Sequence, residues 1–306
     1  MKSILPVLTV VGAIFLFWIA SVAPMNIHLA ADQAQRDGLV ASPETPAERQ
    51  QVGSVALVLR NMNVVPMTYR LDRPRLPSPD QVAVELYDTV FAKKITSKRS
   101  LVYHGWVTLS ATLLGFAIGT TMGITLAVGI VFSRTMDKSV MPWAIVSQTI
   151  PILALAPMVI VMLGALGFQG LLPKAMISAY LSFFPVVVGM VKGLRSPDGM
   201  QLDLLRTYHV SNNQGFWKLR LPASVPYLFT SLKIGISAAL VGAIVGELPT
   251  GAQAGFGARM LVGDQYGQPM VTWAALFAAA ITAAVLVGVF SLLERITLRK
   301  MGVTAA

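Results

Sequence analysis

Few side chains in this 306-residue sequence are arranged for chemistry. His28, His104 and His209 are its three histidines, and none is spaced against another histidine or a carboxylate as metal ligands are. The absence of cysteine removes disulfides, thiolate metal sites and cysteine nucleophiles. Ser237, within Gly235-Ile236-Ser237-Ala238, resembles an intramembrane serine nucleophile only distantly. No histidine lies in an apolar stretch to act as its base, so a packing serine is expected and no catalytic residue is assigned. A phosphate-cradling G-x-x-x-x-G-K-S/T loop is also missing, so any ATP that drives this protein must bind another chain. What remains are polar groups set among apolar ones. Gln148 and Thr149 precede Pro151 in a stretch that also holds Pro142 and Pro157. Prolines free backbone carbonyls and bend helices, which lipid tolerates only beside other helices or a polar cavity, so these residues are candidates for a path or gate. Glu247 stands just before Leu248-Pro249-Thr250-Gly251. A carboxylate there is costly unless it meets water, a cation or backbone donors. It is expected either as a solvated acid at a helix end, or as a gate contact to Arg259 or to its equivalent in a second copy.

The elements that must carry these residues follow from composition. With 55% hydrophobic and 12% charged residues and a mean hydropathy of +0.66, the chain is too apolar for a soluble domain. Six uncharged or nearly uncharged stretches have bilayer-spanning length: 4–22, 105–132, 142–168, 175–191, 228–248 and 271–293. Lipid demands internal backbone hydrogen bonding, and no alternating barrel pattern is present, so an all-α membrane protein with six transmembrane helices is predicted. Lys233 is expected one turn into the fifth span, where it can snorkel to the interface. If the N-terminus is cytoplasmic, eleven basic residues of the short segments fall inside, and only Lys174 and Arg259 fall outside. That asymmetry predicts both termini in the cytoplasm of a multi-pass inner-membrane protein, and it accounts for the excess of 24 Lys+Arg over 14 Asp+Glu without a nucleic-acid partner. The first span is taken as a retained anchor (1–24) rather than a cleaved signal, because Pro24 follows its small-residue site. An external segment (25–104), a core (105–294) with an inner loop (192–227) and a cytoplasmic tail (295–306) complete the division. Within the external segment, 33–51 has a linker composition and 52–65 suits a strand or an interface-lying stretch. Residues 81–91 read as an amphipathic helix with Val82, Leu86, Val90 and Phe91 on one side.

Gly115, Gly119 and Gly123 repeat every four residues and offer one helix a groove for another, with Thr112, Thr120 and Thr121 able to bond across it. The inner loop is long. Its Pro197-Asp198-Gly199 turn leads into a short helical run with apolar residues at 202, 205 and 208. Such a helix could fit a groove on a soluble partner or lie on the membrane.

At this loop the residues resemble the inner-membrane permease subunits of binding-protein-dependent ABC importers. Their signature is Glu-Ala-Ala, three residues, Gly, then about ten residues to an Ile/Leu-x-Leu-Pro close. Asp203-Leu204-Leu205 stands for Glu-Ala-Ala, His209 for the glycine, and Leu219-Arg220-Leu221-Pro222 closes the loop. LPSPDQV at 76–82, the glycine repeat, and Gln148-Thr149-Ile150-Pro151 through Ala156-Pro157 are similar to the nitrate, sulfonate, taurine and pyrimidine or thiamine-precursor branch. The resemblance implies an ABC-permease-like bundle, not an enzyme, working as a pair that is expected to be a homodimer. Cytoplasmic ATPase subunits would carry ATP and Mg, with no cofactor on this chain, and an external solute-binding protein would deliver the solute. Asp203, Leu204, Leu205, Arg206, Tyr208, His209 and Ser211, on an expected helix 203–211, would couple to the ATPase. Two departures stand out: His209 must take a left-handed turn that glycine makes freely, and two leucines replace small alanines. The nearly uncharged spans lean toward a neutral heterocycle as solute. A self-sufficient channel or secondary carrier is the alternative.

Overall fold

The computed structural model describes residues 4–249 and 254–302, so Lys2, Thr250 and Gly251 lie outside the described residues. Among those described, all regular structure is helical. Among the described residues five helices are long and apolar enough to cross a bilayer, or six if one sharply bent pair counts as a span. The chain divides into two compact units, Met1–Leu101 with Arg259–Phe277, and Val102–Ala258 with Ala278–Ala306.

In the first unit, α1 (Ile4–Arg36) runs through Pro24 instead of ending at residue 22. Its early side chains, such as Leu8 and Phe17, are exposed as lipid-facing residues are. Beyond Val22 one face becomes buried, and Ile27, Ala30 and Ala34 pack against Leu57, Val64 and Leu71. The helix continues because the chain that follows folds back onto it. That chain forms α2 (Pro46–Gln51), α3 (Ser54–Arg60), α4 (Val65–Thr68) and α5 (Pro79–Tyr87). The stretch 52–65 is therefore neither strand nor flat interface segment: Leu57 anchors a short helix on α1. Polar staples hold this cap. Buried Asn26 donates from Nδ2 to the carbonyls of Thr68 (3.0 Å) and Leu76 (2.8 Å), and its Oδ1 accepts from the amides of Arg75 and Leu76. Arg49, 1% exposed, donates to Asp32 and Gln35 at 2.7 Å and to the Pro43 carbonyl. Thr45 caps α2, so the linker-like composition of 33–51 conceals a helix end and a capped turn. Ser78 and Gln81 form a capping box at α5. A π-helical turn (Asp88–Ala92) follows and leaves Phe91 73% exposed, off the face that buries Val82. Trp18 donates its indole N–H to the Pro77 carbonyl and stacks on Trp273 and Phe277, with centroids 5.5 and 5.4 Å away.

The second unit holds α6 (Leu101–Phe132), α7 (Arg134–Ser147), α8 (Ile152–Ala165), α9 (Leu171–Leu194), α10 (Gly199–Thr207), α11 (Asn212–Gly215) and α12 (Leu221–Glu247). α13 (Phe256–Gln265) and α14 (Pro269–Lys300) are divided between the units, since Arg259–Phe277 belongs to the first. A π-helical turn (Phe216–Arg220) joins α11 to α12, so the fifth span's helix begins at Asn212, well before residue 228. The expected third span is broken into α7 and α8, bent by 100°. Small residues set the packing of the rest. Added Cβ atoms at Gly115, Gly119 and Gly123 of α6 would strike α9, at Ser178, Ser182 and Val186 respectively. On α9, Gly189 and Gly193 lie against Ser231 and Ser224, and Gly242 of α12 lies against Ser178. Lipid tails are as apolar as leucine, so close backbone approach and dispersion hold these helices together. The threonines expected to bridge helices mostly do not. Thr112 and Thr121 donate to carbonyls one turn back in α6, and the buried Oγ1 of Thr120 has no partner among the described residues. Ser178 supplies a cross-helix bond instead, to the Ala239 carbonyl at 2.8 Å.

Candidate functional site

The inner loop is built on α10. Asp198 and Gln201 form the capping box that starts it, and its end is a Schellman turn: the Val210 amide donates to Leu205 O (3.0 Å) and the His209 amide to Arg206 O (2.9 Å). His209 has φ 50°, making it the one non-glycine residue at positive φ among those described. The helix spans Gly199–Thr207, not 203–211; Tyr208 is its C-cap, and Ser211 caps α11 by accepting from the Gln214 amide. Leu202 and Leu205 are half-buried, whereas Met200, Leu204 and Tyr208 are exposed at four-residue spacing. Tyr208 thus belongs to the outward stripe rather than to the inward face with Leu202 and Leu205. Asp203 and Arg206 pair at 3.0 Å on the exposed surface. The loop's base is tied down: Arg220 donates to the Leu194 carbonyl at 2.9 Å, and Arg195 pairs with Asp137 of α7 at 3.0 Å.

Gln148, Thr149 and Pro151 all lie in the break between α7 and α8. Thr149 donates to the Val146 carbonyl, the Tyr180 hydroxyl donates to the Ser147 carbonyl, and the buried Nε2 of Gln148 has no partner among the described residues. Pro142 and Pro157 sit inside α7 and α8 without breaking them. Residues of α9 and α12 line a groove of about 540 Å³, with Phe184, Val188, Tyr227 and Thr230 along it and Lys192 poised 5.9 Å from the Tyr227 ring. Ser237 donates to the Lys233 carbonyl one turn back, an ordinary packing serine.

Lys233 is not one turn into its helix. α12 begins so early that Lys233 lies about three turns along it. There its Nζ meets Glu294 of α14 at 2.7 Å. An ion pair therefore joins α12 to α14, with Glu294 just past the sixth apolar stretch.

Glu247 is fully buried, not solvated. The Thr108 hydroxyl donates to its carboxylate (3.0 and 3.1 Å), as does the Gly257 amide (2.9 Å), and Lys174 Nζ lies 3.7 Å away. Lys174, expected in a short loop, belongs to the first turn of α9 and also donates to the Ala254 carbonyl. The amides of Gly255 and Phe256 donate to His104 Nδ1 and Thr108 Oγ1. Gly255 has φ 128°, and a Cβ there would overlap the Glu247 carboxyl group. The assembly latches residues 254–257 onto α6, α9 and α12. Thr108, Lys174 and His104 were missed as partners because they lie far from Glu247 in sequence. The nearest signal was Gly255-Phe256-Gly257, which suits a close backbone approach. Among the described residues no group of three potential metal ligands occurs.

Residues 119–303 match the family model described as the binding-protein-dependent transport system inner membrane component. A probable ABC transporter permease protein of Haemophilus influenzae is 32% identical over 200 residues, covering 65% of this chain and 76% of that one. The formylaminopyrimidine transport permease protein ThiX of Halalkalibacterium halodurans is 31% identical, over 60% of this chain and 68% of its own. The nitrate import permease protein NrtB of Synechocystis is 28% identical, over 71% and 76%.

Proposed function

Because the chain belongs to the binding-protein-dependent transport system inner membrane component family, we propose that it is the permease subunit of an ATP-driven importer for a small nutrient. Two copies enclose one path, an external solute-binding protein delivers the solute, and cytoplasmic ATPase subunits bind ATP and Mg and act on α10. The observation that carries this reading is the exposed stripe Met200, Leu204 and Tyr208 on a capped helix whose base is anchored to α9 and α7. A short helix with a free apolar face suits a groove on a soluble partner. Its rigid base would carry ATPase closure into α9 and α12 and rock the bundle between inward-open and outward-open states. Positive charge on the inner segments supports cytoplasmic termini. On that topology α7 and α8 together make one crossing, since Arg134 and Arg195 lie on the same side.

For the solute, the groove of α9 and α12 favours a neutral pyrimidine-like or thiamine-precursor-like heterocycle. Phe184 and Tyr227 offer ring faces and Thr230 a hydroxyl, while the fixed cations near the path are engaged: Lys192 by a ring, Lys233 by Glu294 and Lys174 by Glu247. Nitrate, sulfonates and taurine are the competing solutes. Glu247 and the break at Gln148 to Pro151 serve as outer closure and path elements. The test is purification of the chain with its ATPase, alongside a Leu205→Pro variant. The variant should insert in the membrane yet lose copurification and at least about tenfold of ATP-dependent uptake, because proline breaks the α10 turn. Normal uptake by Leu205→Pro, or uptake with no ATPase chain, would remove the reading.

A further inference from the structure

A cavity of about 520 Å³ lies wholly within the first unit, outside the membrane-spanning part of α1. Arg259 of α13, Arg99 and Lys93 line it together with Glu85 and Asp88. Asp72 and Arg73 stand at its exposed rim. None of these charged side chains is within ion-pairing distance of another among the described residues, although Arg49 and Asp32, in the same unit, pair at 2.7 Å. Arg259 is half-buried, and its Nε is shut off from solvent without a hydrogen-bond partner among the described residues. A buried guanidinium donor left open costs free energy that a ligand acceptor would recover.

Burial pushes the Arg259 guanidinium down; Glu85 opposes that shift and Arg99 adds to it, so two guanidiniums act on one another. Burial pushes the Glu85 carboxyl up; Arg259 and Lys93 oppose this shift, whereas Asp88 adds to it. Arg259 and Arg99 thus share one cavity lining with Glu85, Asp88 and Lys93. A cavity of this size is large enough for a small ligand. Guanidinium forks pair with the oxygens of carboxylate, sulfonate or phosphate in a way that water does not reproduce.

We propose that this cavity is an oxyanion-binding site in which Arg259, through its Nε and fork, and Arg99 grip the anionic group. Glu85 and Asp88 in the same lining admit a ligand that carries a hydrogen-bond donor or a cation beside its oxyanion, and they disfavour a polyanion. The site is independent of the groove between α9 and α12 and of the solute preference argued from it. An oxyanion can come from a free small molecule or from an acidic side chain of an external partner.

The two sources are separated with the full chain in phosphatidylcholine nanodiscs, using sodium sulfate as one probe and a capped Gly-Asp-Gly peptide as the other. Sodium chloride at equal ionic strength provides the baseline. Saturable thermal stabilisation by sulfate alone marks a free oxyanion; a response to the peptide at lower concentration than to sulfate marks a partner's carboxylate. In either case Arg259→Gln and the exposed Arg99→Gln should weaken the response by about tenfold or more, while Lys218→Gln leaves it unchanged. The proposal is overturned if neither probe stabilises beyond chloride, or if the response survives in Arg99→Gln and Arg259→Gln alike.

Discussion

At Glu247 every polar neighbour is a donor, and this makes glutamine a discriminating replacement. The carboxylate accepts from Thr108 and Gly257 and faces Lys174, so the amide NH2 of Glu247→Gln must either point at a donor or displace the Thr108 hydroxyl proton to reach its remaining lone pair. The variant should lose about 2–3 kcal/mol of stability, read from its unfolding in detergent, and its uptake should fall relative to its basal ATPase activity. Stability and coupling equal to the parent would leave Glu247 with no closing role. His209 gives the opposite expectation. It holds φ 50° at the end of α10, where glycine has no steric cost. His209→Gly should therefore slow hydrogen exchange at the Val210 amide, corresponding to a gain of about 0.5–1 kcal/mol after the added chain entropy of glycine is subtracted. Faster exchange at Val210 would mean that the histidine side chain stabilises the turn. Which residue stands in that turn was implied by the resemblance to the permease signature; what surrounds Glu247 was not legible, because Thr108 and Glu247 are 139 positions apart and nothing local records their meeting.

Helices differ in how openly their sequences display them. The α6 glycines repeat at the period of a helix face, and they do receive α9. The corresponding small residues of α9 and α12, including Gly189, Gly193 and Gly242, are mixed with serines and alanines and form no run that stands out. Three prolines suggested a bent third span, but only the Gln148 to Pro151 step breaks it; Pro142 and Pro157 are accommodated within helices. The early start of α12 escaped notice because Phe216–Arg220 is a π-helical turn, which carries the helix through a polar stretch. That early start places Lys233 beside Glu294. Removing one partner leaves a poorly solvated charge among apolar helices, so Lys233→Met or Glu294→Met alone should each cost about 3 kcal/mol of stability. The double variant should recover most of that loss. Equal losses in single and double variants, measured in a mutant cycle, would show that the charges do not depend on each other.

For the whole molecule, sidedness rests on charge asymmetry, and the lack of native cysteine makes it easy to check. A cysteine replacing Glu48 should react with an impermeant thiol reagent added outside, and one replacing Asn212 should react only after the membrane is opened. Reversed labelling would invert the topology. The first unit was the least legible region, because its organisers are single polar residues, Asn26 and Arg49, that satisfy distant backbone and side-chain groups rather than an apolar periodicity.

The unbroken run of α1 has a geometric consequence. Its 33 residues measure about 50 Å, and a bilayer core takes about 30 Å of that, so roughly 20 Å of stiff rod stands clear of the lipid. Asn26, Asp32 and the apolar face at Ile27, Ala30 and Ala34 fasten the cap to this projecting rod. Height and azimuth are then locked to a single screw. One residue inserted near Ser21 would lift the cap by about 1.5 Å and swing it by about 100°, whereas seven would lift it by about 10 Å and return it to within about 20° of its bearing. Any change in stand-off distance that keeps the cap's heading is therefore confined to near-whole turns of the screw.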